Sequence, residues 1–140
     1  MAMIEYVRKT PDGQIEVGSD GTLGRYEEPL SRYLNRLAYR RLTTFTGAVE
    51  AARRQYGIRI RTPIYLGDDV FFLPLCGFRS SGCLLVNHFA IVCVSRTGEG
   101  GIVIRFRSGM ILLAPSYAIL ERQRALAERM LACLNDRRER

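Results

Sequence analysis

Residues 84–113, LLVNHFAIVCVSRTGEGGIVIRFRSGMILL, contain the pattern that decides the fold class. An apolar run covers 84–95, and apolar residues alternate with arginines over 102–107. Because successive side chains of a strand point to opposite faces of a sheet, this alternation predicts a half-buried strand. The expected inward residues are Ile102, Ile104 and Phe106, and the expected outward residues are Arg105 and Arg107. Glycine-bearing turns separate the segments, which predicts antiparallel hairpins.

Further strands are predicted upstream of this region. Residues 1–26 have the pattern of an exposed β-hairpin around a Pro-Asp-Gly turn at 10–13. Residues 63–66 and 70–73 predict a second hairpin, which a polar loop at 74–82 follows. From Ile58 onward the chain is therefore expected to be mostly sheet, up to the final helix.

Three segments have the 3.6-residue periodicity of amphipathic helices. The first covers 29–42, the second runs from about 48 to 56 and stops at Gly57, and the third runs from Ser116 to about 134. The apolar stripe of the first helix is Leu30, Tyr33, Leu34, Leu37, Ala38 and Leu42. The predicted fold class is α+β: an antiparallel sheet with hairpins, two helices in the N-terminal half, and one long C-terminal amphipathic helix.

Length and composition indicate one globular domain. The chain has 140 residues, of which 47% are hydrophobic and 25% charged. Its apolar runs are shorter than the ~20 residues of a membrane span, and its first residues lack the apolar core of a secretory signal. We therefore expect a single domain over 1–140 in the cytoplasm, with a frayed basic tail at 135–140.

The charge balance points to a polyanionic partner. The net charge is +7, and Lys9 is the only lysine among the 21 basic residues. Arginine presents a rigid fork of five N–H donors that suits phosphates and narrow minor grooves. The candidate DNA contacts are Arg32, Arg36 and Arg40, which form a ladder along the first helix, Arg53 and Arg54 in the second, and the outward Arg105 and Arg107. A solvated surface explains the ladder equally well.

The sequence contains no recognisable catalytic or cofactor site. Nucleotide-binding and hydrolase motifs are absent, and His88, the one histidine, has no visible partner for acid–base catalysis. We therefore predict a protein that is not an enzyme and that has no catalytic residues, no metal and no cofactor.

The four cysteines form no C-x-x-C pair. Cys93 and Cys133 lie within apolar patterns, which predicts buried, reduced thiols. Cys76 and Cys83 are close enough in sequence for a redox-sensitive bridge, although reduced thiols are the preferred interpretation for all four.

An ordered series of short motifs runs from residue 62 to residue 131. The motifs are Thr62-Pro63-Ile64, Phe71-Phe72, Cys83 with Leu84–His88, Ile91, Phe106–Gly109, Ser116-Tyr117, Leu120 and Gln123. In this order and spacing they resemble the ComK family, the competence transcription factors of Gram-positive bacteria. The family's usual tryptophan after Cys83 is Leu85 here.

The resemblance implies a DNA-binding domain that activates transcription at promoters. It implies binding to double-stranded DNA, largely through the minor groove of A/T-rich boxes, by a bacterial homo-oligomer that also meets a regulatory protein partner. The arginine content agrees, since a narrow A/T minor groove attracts arginine. The alternative is a pleckstrin-homology-like adaptor: short strands and a C-terminal helix would carry arginines toward an acidic protein partner or an anionic membrane surface.

Overall fold

The structure, a computed structural model, describes residues 3–76 and 82–138, the last two by their backbone alone. These residues form nine strands and three helices, which confirms the α+β class. The strands are β1 (Ile4–Lys9), β2 (Ile15–Ser19), β3 (Thr22–Tyr26), β4 (Ile64–Tyr65), β5 (Phe71–Pro74), β6 (Leu84–Asn87), β7 (Ile91–Arg96), β8 (Ile102–Phe106) and β9 (Ile111–Ala114). The helices are α1 (Leu30–Tyr39), α2 (Phe45–Tyr56) and α3 (Tyr117–Arg138).

The strands form two antiparallel sheets. A six-stranded sheet has the order β3-β2-β1-β6-β5-β4, and a three-stranded sheet has the order β7-β8-β9. The N-terminal hairpin, predicted to be exposed, lies inside the larger sheet, because β1 pairs with both β2 and β6. Tyr6 and Val7 on β1 are accordingly buried on opposite faces. Strand β3 was not expected from the sequence.

Successive residues of the central strands enter two different hydrophobic cores. Tyr6 and Phe71 belong to the first core, and their neighbours Val7 and Phe72 belong to the second. The first core joins the six-stranded sheet to the three-stranded sheet and α3, and the second joins it to α1 and Val49 of α2. The larger sheet is thus the middle of three layers.

The apolar run at 84–95 is not one strand, contrary to its pattern. A 3₁₀ turn at His88–Ala90 separates β6 in the larger sheet from β7 in the smaller one. Buried Asn87 fixes this break: its Oδ1 accepts from Phe71 N at 3.0 Å and from Phe89 N at 3.2 Å. Its Nδ2 donates to Ile4 O at 2.7 Å, so the side chain also holds β1.

Two of the cysteine predictions are wrong. Cys93 and Cys133 are exposed, although both lie in apolar sequence. On β7 the register shifts between Ile91 and Cys93, and Cys93 then pairs with Arg105 on the outer face of the smaller sheet. On α3 the buried stripe ends near Met130, and Cys133 lies beyond it on the solvent side.

The helix boundaries differ from the predicted ones near the connection between α1 and α2. Leu42 was placed in the apolar stripe, but it is 97% exposed and has a positive φ of 59°. Helix α1 ends before Leu42, because Leu42 N donates to Tyr39 O and Thr43 N donates to Ala38 O. Helix α2 begins earlier than predicted, since Thr44 Oγ1 accepts from Gly47 N at 2.9 Å.

The C-terminal half follows its pattern more closely. On β8 the inward side chains Ile102, Ile104 and Phe106 are buried, while Arg105 and Arg107 are exposed, as predicted. Ser116 Oγ caps α3 by accepting from Ile119 N at 3.2 Å. The tail that was expected to fray from residue 135 is helical through Arg138, and residues 139–140 lie outside the described residues.

Candidate nucleic-acid interface

The α1 ladder (Arg32, Arg36, Arg40) lies on the solvent side of its helix. Its middle member is neutralised: Arg36 Nη2 lies 2.7 Å from Glu28 Oε1, and Arg36 Nη1 donates to Glu28 Oε2 at 3.0 Å. The Arg36 guanidinium also lies 5.4 Å from the centre of the Tyr33 ring. Helical spacing gives no sign of this partner, because Glu28 precedes the helix.

The two arginines of α2 have different surroundings. Arg54 Nη2 forms an ion pair with Glu50 Oε1 at 2.8 Å, one turn earlier on the same helix. Arg53 Nε donates to Thr62 Oγ1 at 3.3 Å, and Thr62 is fully buried. This contact places Arg53 beside the segment that follows α2.

Arg105 and Arg107 lie on the outer side of the smaller sheet. Arg105 is opposite Cys93 on β7 and Ile111 on β9. The smaller sheet and α1 cover opposite faces of the six-stranded sheet. The seven sequence-predicted arginines are therefore distributed over different sides of the protein and do not form one patch.

A further cluster of arginines lies where the segment after α2 meets α3. Two adjoining depressions, of about 360 and 170 Å³, have Ile60 and Arg122 as common lining residues. Arg59 and Arg129 line the larger depression, and Arg61 lines the smaller one. We name this feature the arginine groove and define it by Arg59, Arg61, Arg122 and Arg129.

The backbone between Gly57 and Thr62 places Arg59 and Ile60 at the surface. Gly57, with a φ of 68°, ends α2 in the left-handed region that glycine adopts most easily. Ile58 then turns into the first core, and Thr62 is fully buried. Between these two anchors Arg59 and Ile60 are exposed, whereas Arg61 is half-buried.

Buried Gln123 attaches this segment to α3. Its Nε2 donates to Arg61 O at 2.6 Å and to Pro74 O at 3.0 Å. One amide thus joins the segment, β5 and α3, and satisfies two carbonyls that burial would otherwise penalise. Arg61 itself has a φ of 46°, a conformation that costs a non-glycine residue about 1–2 kcal/mol.

The acids that lie near the groove in sequence have other partners. Glu121 Oε1 lies 3.8 Å from Arg124 Nη1, and Glu128 Oε1 lies 2.6 Å from His88 Nε2. Within 3–76 and 82–138, none of the four groove arginines forms an ion pair. Arg61 Nε is buried without a hydrogen-bond partner. Arg129 Nη2 donates to Tyr56 O at 3.4 Å. The groove therefore presents to an anion several guanidinium groups that have no carboxylate partner among the described residues.

Sequence reasoning missed this cluster, although two weak signals were present. Arg122 and Arg129 are seven residues apart, which places them on one face of α3, two turns from each other. Arg59 and Arg61 lie within three residues of each other, which concentrates positive charge, although the backbone bends at 60–61 and alternation along a strand does not apply there. Nothing in the spacing indicates that the two segments meet, because the contact depends on tertiary packing.

His88 has a partner that its sequence context did not reveal. Its Nε2 lies 2.6 Å from Glu128 Oε1, which attaches α3 to the 3₁₀ turn, and its ring packs edge-on against Phe71. This geometry suits a structural histidine. Across the described residues, no group of three potential metal ligands occurs.

The Cys76 and Cys83 thiols are free. Burial raises the pKa of the Cys83 thiol to about 12, and the neighbouring Cys76 adds to the shift. Cys83 is therefore protonated at neutral pH, whereas disulfide exchange requires the thiolate. Cys76 Sγ is engaged with the backbone, because it accepts from Leu84 N at 3.2 Å. These surroundings disfavour a readily formed bridge.

Comparisons with family models, with curated proteins and with solved structures find no match to this chain. The resemblance to the ComK family therefore stays a prediction. Among the described residues, no helix combines the length and the apolar character that crossing a bilayer requires.

Proposed function

We propose that this protein binds A/T-rich double-stranded DNA at promoters, as a ComK-like activator of transcription that acts as a homo-oligomer in the bacterial cytoplasm. The arginine groove is the single observation that carries the proposal. It combines four arginines that form no ion pair with any described residue, two adjoining depressions, and a backbone held by Gln123.

Duplex DNA fits this arrangement better than a small anion does. Arginines without a carboxylate partner among the described residues line the two depressions and offer several separate contacts, and DNA presents phosphates at regular intervals along two strands. A narrow A/T minor groove concentrates negative potential and attracts arginine in particular. The net charge of +7 adds a long-range attraction to any polyanion.

The seven arginines predicted from the sequence have different roles in this proposal. Arg53 lies beside the groove through its bond to Thr62 and extends it. Arg32 and Arg40 lie on α1, on the opposite face of the larger sheet from the groove, so we expect no contact from them in the same protomer, whereas Arg36 and Arg54 are engaged with acids. Arg105 and Arg107 lie on the outer side of the smaller sheet, which packs on the same face of the larger sheet as α3 but contributes no lining residue to the two depressions, so we expect no contact from them to a duplex in the groove.

The test is a titration of a fluorescently labelled A/T-rich duplex, followed by anisotropy between 50 and 200 mM salt. Four phosphate contacts predict a slope of log K against log salt of about −3.6. A G/C-rich duplex of equal length should bind more weakly. Vesicles with and without phosphatidylserine form a third arm: selective binding to the anionic vesicles, with no binding to DNA, would favour the membrane-surface adaptor instead.

Three double variants with equal charge change identify the contact surface. The groove variant Arg122→Gln/Arg129→Gln should reduce the salt slope by about two units. The ladder variant Arg32→Gln/Arg40→Gln and the sheet variant Arg105→Gln/Arg107→Gln are matched controls and should leave the slope nearly unchanged. An equal loss in all three variants would mean that only net charge matters and that the groove is no specific site.

A further inference from the structure

Ile60 is an exposed apolar side chain at the centre of the arginine groove. It is 56% exposed and belongs to neither hydrophobic core. It lines both depressions, so it forms a ridge between them. Arg59 and Arg61 flank it on the chain, and Arg122 lines both depressions as well.

The backbone that carries Ile60 is firmly held. Ile58 and Thr62 are buried on either side of it, and the carbonyl of Arg61 accepts from Gln123 Nε2 at 2.6 Å. Because both buried anchors are two residues from Ile60, its side chain keeps its position when a ligand contacts it. An isolated surface isoleucine needs no explanation, but one held on a fixed backbone among arginines that have no carboxylate partner in the described residues does.

We propose that Ile60 is a wedge that enters the DNA minor groove and inserts between two base pairs, while Arg59 and Arg61 contact the DNA on either side of it. Apolar side chains that unstack one base step in this way, next to basic residues, kink the duplex. The inference rests on the proposed function and adds a bend and a sequence preference to it.

The wedge predicts which A/T-rich sequences bind best. T-A steps unstack easily, whereas A-tracts are stiff. A wedge therefore favours alternating T-A sequence over an A-tract of equal composition. Electrostatic attraction alone gives the opposite preference, because the A-tract has the narrower and more negative minor groove.

The experiment uses the full chain and two duplexes, one alternating and one A-tract, each with 2-aminopurine in place of several adenines. Unstacking brightens 2-aminopurine, and dyes at the duplex ends report the bend by energy transfer. The parent protein should prefer the alternating duplex, brighten it and shorten its end-to-end distance. Ile60→Ser should lose this signal and about tenfold in affinity, the loss expected for one buried isoleucine.

Two further variants separate the effect of insertion from the effect of removing any exposed isoleucine. Ile111→Ser is the matched control, because Ile111 is 61% exposed on the outer face of the smaller sheet. It should leave affinity and fluorescence unchanged. Ile60→Leu retains an apolar wedge and should preserve most of the 2-aminopurine signal.

The outcomes distinguish the wedge from the function on which it rests. A parent protein that binds no duplex contradicts the proposed function, and the wedge with it. A parent that binds without brightening 2-aminopurine overturns the wedge alone. The same conclusion follows if Ile60→Ser brightens and bends the alternating duplex as the parent does.

Discussion

The α1 ladder and the arginine groove differ in what surrounds their charges. The ladder comes from one helix, and Glu28 occupies its middle arginine. The groove comes from two segments far apart in sequence, and the nearby acids Glu121 and Glu128 have partners elsewhere. A regular spacing of arginines therefore does not identify the more electropositive surface, because ion pairs decide how much charge remains available.

The two surfaces also rest on different cores. The ladder lies on the helix whose apolar side, including Leu34, fills the second core. The groove depends on the first core, into which Ile58 and Leu120 project from its two segments. Variants in one core should therefore affect one surface more than the other.

The largest expected effect comes from truncating the cores under the two surfaces. Leu120→Ala and Leu34→Ala each remove a fully buried side chain and should each cost about 2–5 kcal/mol in the free energy of unfolding. Urea titration followed by far-UV circular dichroism measures this cost. At a temperature where both variants are folded, Leu120→Ala should weaken binding to A/T-rich duplex, and Leu34→Ala should not.

Equal effects of the two truncations on DNA affinity would contradict the claim that the groove, and not the ladder, contacts the DNA. Equal losses would mean that the two surfaces act together or that general loosening, rather than the groove, controls binding. A larger loss for Leu34→Ala would move the contact surface to the ladder.

A smaller loss of stability is expected from Gln123→Leu. This variant removes the hydrogen bonds from α3 to Arg61 O and Pro74 O without changing the charge of the groove. The carbonyls of Arg61 and Pro74 would lose a buried donor, at a cost of about 1–3 kcal/mol for each unsatisfied group. DNA affinity should fall, because the segment 59–61 is no longer held against α3. The exposed Gln55→Leu on α2 is the control and should change neither property. Unchanged affinity in Gln123→Leu would show that the groove needs no bracing.

Local patterns predicted the parts of the fold that local interactions determine. The alternation on β8, the Ser116 cap and the Gly57 stop all depend on residues within a few positions, and the structure confirms them. The apolar run at 84–95 was misread because a buried strand and a strand that changes sheets have the same apolar pattern. What breaks it is Asn87, whose amide donates to Ile4 O, 83 residues away in the chain.

The candidate site could be predicted only in part for the same reason. Helical spacing identified the ladder arginines on an exposed helix face, and the structure places them there. Helical spacing cannot identify an acid before the helix, such as Glu28, nor the contact between residues 59–61 and α3. Periodicity and the family resemblance both single out Gln123, but neither indicates that its buried amide donates to Arg61 O and Pro74 O and so brings those segments together.

The smallest expected effect is that of Glu28→Gln, which releases Arg36 on the ladder. The ion pair is partly exposed and should be worth about 0.2–1 kcal/mol, so the protein stays folded. If the groove contacts the DNA, the added charge acts only through the screened long-range field and should raise affinity by less than about twofold. The salt slope should then remain that of the parent protein.

Glu50→Gln is the matched control for Glu28→Gln, because it releases Arg54 on α2 with the same change in charge. The two variants should behave alike in anisotropy titrations across the salt range. If instead only Glu28→Gln steepens the slope by about one unit, a freed Arg36 has gained a phosphate contact. In that case the ladder lies against the DNA after all, and Glu28 limits its affinity by competing with phosphate for the same guanidinium.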